Sequence, residues 1–261
     1  MLGQGRVTGL LLSLFLAGSS LHASILATVQ AEFRQTYSLN STGRVVIQNL
    51  YGDVRITTWE RDEVLVQAIK RSRDPRQLKD AQIVVDSSNE LVSIRTLYAG
   101  TDAERPASVE YRITVPRMAN LENVRLVNGG LSISGVAGSV KASSVNGNIK
   151  AERLEGQADL STVNGQLEAE FNRVGRSNSI SLSSVNGPIR LSIPSGAGAQ
   201  LTAHNLSGGI ESDFGQVSRA TSGHRLRTTM NHGGAQIHLN NVNGGISIRS
   251  TWNRRSERPW S

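Results

Sequence analysis

Residues 126–171 read LVNGGLSISGVAGSVKASSVNGNIKAERLEGQADLSTVNGQLEAEF. Val-Asn-Gly occurs three times in this stretch, at 127–129, 145–147 and 163–165. It returns at 185–187 and 242–244, with Leu206-Ser207-Gly208 as a degenerate copy. Asn128, Asn146 and Asn164 stand 18 residues apart, Asn186 follows after 22, and Ser207 after a further 21. Spacing this even means that one structural unit is reused. Three residues after each Asn comes an aliphatic residue: Leu131, Ile149, Leu167, Ile189 and Ile246, with Ile210 in the degenerate copy. Two further on stand Ile133, Ala151, Ala169, Leu191 and Ile248, and the second half of each unit alternates likewise, as in Val140 and Ala142 or Ala158 and Leu160. Period-2 apolar positions on both sides of a glycine corner predict two short strands per unit, each with one face turned inward.

Asn and Gly reach positive φ at the lowest cost, so Asn-Gly is read as a tight turn. Two architectures use such units. In an antiparallel β-sandwich they are hairpins; in a β-solenoid each is one coil, stacked on its equivalents. Identical residues in the Val, Asn and Gly columns favour the solenoid, because an in-register parallel stack places like on like. The fold class expected is therefore all-β: stacked two-strand coils of about 18–22 residues. In that stack the asparagines would form a ladder of amide hydrogen bonds buried at the corner. The turn ladder comprises Asn128, Gly129, Asn146, Gly147, Asn164, Gly165, Asn186, Gly187, Asn243 and Gly244.

Working outward, 24–116 is β-rich but less regular. Gly43 to Thr58 alternates through Val45, Ile47, Leu50, Val54 and Ile56, and Asn49-Leu50-Tyr51-Gly52-Asp53-Val54 is a divergent copy of the turn. Further strands are predicted at 64–69, 83–85, 91–97 and 109–115. Asp74-Pro75 caps one helix over 76–81, a second short helix or a linker is assigned to 24–34, and 99–106 reads as an exposed loop. A soft boundary falls near Pro116, and the repeats occupy 117–250.

Both termini carry signals of their own. Arg6, the apolar run from Leu10 to Ala17 and Ser20-Leu21-His22-Ala23 read as an export signal over 1–23, cleaved after Ala23, placing the mature chain in the periplasm, on the outer surface or outside the cell. The apolar run is shorter than the roughly 20 residues that a spanning helix needs, and no later segment reads as a span. There is no Cys, which excludes a lipid-anchored N-terminal cysteine, disulfides and thiolate metal sites. The tail 251–261 places Arg254, Arg255 and Arg258 beside Trp252 and Trp260, a combination suited to an anionic surface. The formal net charge of +7 would attract nucleic acid, anionic lipid or acidic polysaccharide, and export leaves the last two.

The 26 Gly among 261 residues, against 4 Phe, 3 Trp and 4 Tyr, leave a core of small aliphatic side chains between many corners. Chemistry is sparse on this scaffold. Glu152 and Glu170 occupy equivalent positions one unit apart and would stack about 5 Å from each other, but Lys150, Arg153 and Arg173 nearby make a salt-bridged surface. His204, His224, His232 and His238 lack an acidic or Cys partner at ligand spacing. The Gly-Gly pairs are not followed by Gly-Lys-Ser/Thr, and there is no Gly-x-Ser-x-Gly elbow. No catalytic residue, metal site or cofactor is assigned.

The run Gly43 to Trp59, of the form Gly-x-Val-x-Ile-x-Asn-x-x-Gly-Asp-Val-x-Ile-x-x-Trp, is followed by Tyr-x-Ile-x-Val-Pro at 111–116 and by serial Asn-Gly-x-Ile/Leu repeats. In this order the motifs resemble the bacterial exported adhesin family, the adhesin-domain β-strand-repeat proteins of unknown function, over roughly Ser38 to Ser250. The resemblance implies a solenoid-like fold at the cell envelope and a binding or scaffolding role. It carries over no catalytic residue. The expected function is thus non-enzymatic: adhesion, surface binding or scaffolding through rows of side chains such as Lys150, Arg190, Ser132, Ser181 and Thr202, presented to an envelope polysaccharide, an anionic surface or a partner protein, without nucleic acid. A carbohydrate-active enzyme on the same scaffold and an envelope-stress sensor are the alternatives. An acid-lined cleft would favour the enzyme and flat rows of hydroxyl and amide groups would favour binding. Open solenoid ends leave self-association available.

Overall fold

Strands with one apolar face must bury it, and here two sheets bury theirs against each other. The computed structural model describes residues 28–99, 106–215, 218–219 and 224–251. The export signal, most of the 99–106 loop, and Trp252, Arg254, Arg255, Arg258 and Trp260 of the tail lie outside these residues. The N-terminal part supplies β1 (Val29–Ser38), β2 (Arg44–Tyr51), β3 (Val54–Trp59), β4 (Glu63–Ser72), β5 (Ala81–Ser87), β6 (Leu91–Tyr98) and β7 (Ser108–Pro116). Helix α1 (Pro75–Asp80) lies between β4 and β5. The repeats supply β8 (Asn120–Asn128), β9 (Leu131–Ser134), β10 (Val140–Asn146), β11 (Ile149–Leu154), β12 (Ala158–Asn164), β13 (Leu167–Phe171), β14 (Ser179–Asn186) and β15 (Ile189–Pro194). After these come β16 (Ala199–Ser207), β17 (Ile210–Ser212), β18 (Ser218–Arg219), β19 (His224–Met230), β20 (Ala235–Asn243) and β21 (Ile246–Thr251).

Sheet A runs β1-β4-β7-β3-β9-β11-β13-β15-β21-β17, and sheet B runs β18-β19-β16-β20-β14-β12-β10-β8-β2-β6-β5. Each coil gives one strand to each sheet, and coil stacks on coil in parallel: Asn146 pairs with Asn128 and Asn164, and Asn186 with Asn164 and Asn243. The chain is a β-solenoid and not an antiparallel sandwich. All the aliphatic columns read from the repeat point inward, from Leu131 and Ile149 to Ile248, and one continuous core runs through both the irregular part and the repeats.

Coil order is not chain order at either end. The coil β20–β21, last in the chain, sits between the coils β14–β15 and β16–β17. At the other end β6 and β7 lie beyond β2 and β3. In both places the chain overshoots one level, lays down antiparallel strands (β4 against β7, β5 against β6, β19 against β16) and then returns to fill the gap. The antiparallel strands cover both ends of sheet B and the β1 end of sheet A, while the other end of sheet A is β17, a three-residue strand parallel to β21.

Local expectations meet the structure unevenly. Asp74 caps α1 by accepting from the Arg76 N–H at 2.8 Å, with Pro75 in the first turn, as its sequence predicts. The short helix assigned to 24–34 is absent from the described part of that range, where β1 begins at Val29. The alternation of Val29, Ala31, Phe33, Gln35 and Tyr37 has the strand period, and pairing with β4 along the whole of β1 decides it.

The corner also works differently from an Asn-Gly turn. No ladder asparagine has positive φ; outside glycine, among the described residues, only Arg153, Asn231 and His232 do. The glycines are required because the coils nearly touch there. A Cβ on Gly147 would lie 1.9 Å from the Gly129 carbonyl oxygen, and one on Gly165 2.3 Å from that of Gly147.

Candidate binding face

Outward-pointing side chains of parallel in-register strands form rows, so each outer face is a set of stripes along the solenoid axis. On sheet A these stripes are charged. One runs Ser132, Lys150, Glu168, Arg190, Ser247 and Glu211. Lys150 Nζ lies 2.7 Å from Glu152 Oε1, and Arg249 pairs with Glu211 at 2.8 Å and Asp213 at 3.3 Å. The hydrogen bond that Lys150 donates to Glu152, with Glu168 and Glu170 close by, raises the pKa of Lys150 above its ordinary value. Glu152 and Glu170 thus belong to a charge-balanced surface. Among the described residues no three His, Asp or Glu side chains gather at metal-ligand spacing.

Sheet B differs in kind. Its central row passes from Arg125 through Ser143, Ser161 and Ser183 to Asn240 and His204. A row to one side carries Lys141, Asp159, Ser181, His238 and Thr202, the first two 3.9 Å apart as an ion pair. To the other side, one position before each corner asparagine, stand Val127, Val145, Val163, Val185, Val242 and Leu206, each exposed by between 37% and 51%. Apolar residues scattered singly on a surface are ordinary; six in an unbroken line are not. Between the valine line and the Ser/Asn row lies a trough of about 490 Å³, lined by Ser143, Val145, Ser161, Val163, Ser183, Val185, Val242 and their neighbours.

The corner flanking this line holds the asparagine ladder. Asn146 Nδ2 donates to Asn128 Oδ1 at 2.9 Å, Asn164 to Asn146 at 2.8 Å, Asn186 to Asn164 at 2.9 Å and Asn243 to Asn186 at 2.9 Å. The repeat predicts this ladder, but none of its side chains is buried: Asn128 is half-buried and Asn146, Asn164, Asn186 and Asn243 are exposed. Strand alternation carried one step further would turn these asparagines inward, but it ends at the corner: the last inward position is two residues earlier, and it is polar. Ser144, Thr162, Ser184, Asn241, Asn205 and Asn49 are all buried there. Ser144 donates to Gly129 O, Thr162 to Gly147 O, and Asn205 Nδ2 to the carbonyls of Gly209 and Gly244. All members of this inner column but Asn241, whose buried amide has no hydrogen-bond partner among the described residues, satisfy corner carbonyls that the coil-to-coil ladder leaves over. The aliphatic alternation drew attention away from it, although Ser144, Thr162 and Ser184 recur at one position of the repeat.

Asn164→Ala removes both ladder bonds of a central member and is expected to cost about 1–2 kcal/mol, while Asn243→Ala, with one such bond, costs about half as much. Urea unfolding of the two variants checks this. Equal losses would mean that the ladder does not act as a chain of bonds.

Of the other residues that the sequence singles out, Ser181 and Thr202 share a sheet B row, while Ser132, Lys150 and Arg190 lie across the molecule on sheet A. The two groups cannot touch one flat partner. Tyr51 and Ser207 occupy the ladder position in their coils, which places the divergent and degenerate turn copies at the same corner. His204 and His238 face outward from adjacent strands, whereas His224 is on β19 and His232 in the turn before β20.

The profile of the Toastrack DUF4097 family matches residues 39–249. The chain belongs to the Toastrack DUF4097 family. Its match covers the two sheets from β2 almost to the end of β21, leaving out β1. No curated protein matches the chain. Among solved structures, this Toastrack chain is similar to a "putative cell adhesion protein" of Clostridium sporogenes ATCC 15579, with 10% identity and a TM-score of 0.49 over 84% of this chain and 100% of that one. It is also similar to a "putative adhesin" of Bacteroides fragilis NCTC 9343, with 11% identity and a TM-score of 0.40 over 84% and 97% of the two chains. A third is a "putative lipid binding protein" of Parabacteroides distasonis ATCC 8503, with 10% identity and a TM-score of 0.31 over 85% and 95%. No described helix of the Toastrack chain is long and apolar enough to cross a membrane.

Proposed function

We propose that this protein is a non-enzymatic binding protein, exported to the cell envelope, that holds an extended polysaccharide along the outer face of sheet B. The observation that carries the reading is the exposed valine line beside the Ser/Asn row. A polysaccharide chain repeats apolar C–H faces and hydroxyl edges along its length, and the trough repeats an apolar wall and a hydroxyl or amide floor once per coil, roughly every 4.8 Å. Each contact is weak; the sum over five coils gives affinity. Flat rows of hydroxyls, with Glu152, Glu155, Glu211 and Asp213 held in ion pairs away from them, favour binding over glycoside cleavage, which needs paired carboxylates across a cleft. The Arg/Trp tail would add attraction where the polymer or the surface around it is anionic.

The test is retention of purified envelope polysaccharides by the wild-type protein and by V145T/V163T/V185T. Thr keeps the β-branch and the strand geometry but removes apolar surface, so affinity is expected to fall about tenfold or more with unchanged folding. Polysaccharide binding that is indifferent to the triple change removes the trough as the site. The triple change R254A/R255A/R258A tests the tail separately: binding that survives it at moderate salt excludes the tail as the main contact.

A further inference from the structure

Two of the four sheet edges are very short: β17 has three residues and β18 two. β1 is the opposite case. It is ten residues long, pairs with β4 on one side along its whole length, and ends sheet A. Among the described residues no strand pairs with its other side. A long edge with free N–H and C=O groups is a template for another strand, which natural proteins usually blunt with charge. β1 carries two charges at its middle, Glu32 and Arg34; both are exposed, and neither has an ion-pair partner among the described residues. Its inward side chains Val29, Phe33 and Tyr37 are only partly buried against the end of the core.

We propose that the protein dimerises through β1, which pairs antiparallel with β1 of a second copy about a two-fold axis at Phe33. In that register Glu32 of each copy stands opposite Arg34 of the other, giving two opposite-charge pairs on the outer face. On the inner face Phe33 stands opposite Phe33, and Val29 opposite Tyr37, so the half-buried apolar side chains meet across the seam. The neighbouring registers are excluded by the same residues. Centring the axis on residue 32 sets Glu32 against Glu32, and centring it on residue 34 sets Arg34 against Arg34, both destabilising. A shift of half a step would pair core-facing with solvent-facing positions. The charges that blunt this edge against other strands therefore favour this pairing with itself over those centred one residue to either side. The contact joins two ten-stranded sheets A into one and adds roughly one backbone hydrogen bond per paired residue. The two-fold axis stands perpendicular to the sheet, so both copies of sheet B lie on the same side. The dimer then presents two troughs to one surface.

Sedimentation equilibrium of the purified protein tests the proposal. Wild type is expected to be a reversible dimer. Glu32→Arg and Arg34→Glu, each of which sets like charges opposite one another, weaken association about tenfold or more, and E32R/R34E restores it. Melting curves stay unchanged in dilute solution, since both side chains are exposed and unpaired in the monomer. Phe33→Cys gives a disulfide-linked dimer on mild oxidation, because residue 33 faces its own copy and the chain has no other Cys. A wild-type protein that is monomeric at all concentrations overturns the proposal. So does a dimer that both single reversals leave intact, or a double reversal that fails to recover association. None of these results depends on polysaccharide binding.

Discussion

Gly187→Ala is expected to destabilise the protein by about 4 kcal/mol, summing the cost of overpacking against rigid backbone and of a positive φ for a residue with a Cβ. The corner at residue 187 lies mid-stack, between the corners of β12 and β20. A Cβ there would lie 2.0 Å from the Gly165 carbonyl oxygen and 2.6 Å from its carbon, at a backbone φ of +149°. Neither neighbour can yield, because Gly187 N–H donates to Asn243 O and Gly165 N–H to Asn186 O, which locks the coils together on both sides. Relief requires the coils to part, and parting two coils opens the core between them. Gly196→Ala is the control: nothing lies within 4 Å of a Cβ there, and the change is expected to be neutral or slightly stabilising. Urea unfolding compares the two. Similar midpoints for both variants would mean that the corners tolerate a side chain, and close approach would no longer explain the glycine column.

Alkaline pH is expected to remove about 3 kcal/mol of stability between pH 10 and 12 through one buried tyrosine. Tyr111 is 1% exposed, with its hydroxyl 2.7 Å from Thr96 Oγ1. Thr96 spends its own proton on Asn49 Oδ1 at 2.9 Å, so Tyr111 is the donor of the pair. Asn49 Nδ2 in turn donates to the carbonyls of Gly52 and Val109, tying β2, β6 and β7 together. Burial pushes the Tyr111 pKa from 10.0 up to about 12. Below pH 10 both folded and unfolded chains keep this proton. Above it the unfolded chain releases the proton first, so unfolding gains as the pH rises, until the folded state titrates as well. Burial raises the Tyr98 pKa too, in the same direction. Thermal melts of wild type and Tyr111→Phe from pH 8 to 11.5 measure the effect. The wild-type curve should fall more steeply, and parallel curves for the two proteins would exclude Tyr111 as its source.

The two predictions bear on residues of different legibility. Gly187 announces itself through the repeat, although the reasons for it are the close approach of coils and its own positive φ, and not a positive φ at the asparagine before it. Tyr111 lies in the Tyr-x-Ile-x-Val-Pro motif, but its partners come from β6 and β2, so its network cannot be read from local order. The trough is an intermediate case. Ser161, Val163 and their equivalents are visible as repeated letters, yet the rows first assigned to binding mixed the two outer faces. Which face a strand turns outward follows from alternation, but which strands share a sheet follows only from the fold.

What the sequence determined by itself is the repeating unit: two strands, a glycine corner, an inward aliphatic face and an asparagine at each corner, because these depend on the 2-residue strand period and on spacing along one stretch of chain. Tertiary structure decided the order of the coils. By its corner alone the coil of Asn243 could stack beyond that of Ser207 or insert between those of Asn186 and Ser207, since all corners look alike, and nothing local distinguishes a coil added at the end from one filled in afterwards. Antiparallel strands laid down beyond a level left empty, β4 and β5 at one end and β19 at the other, resolve that degeneracy. The arrangement places the last coil of the chain inside the solenoid and leaves β1, ten residues long, as the longest free sheet edge among the described residues.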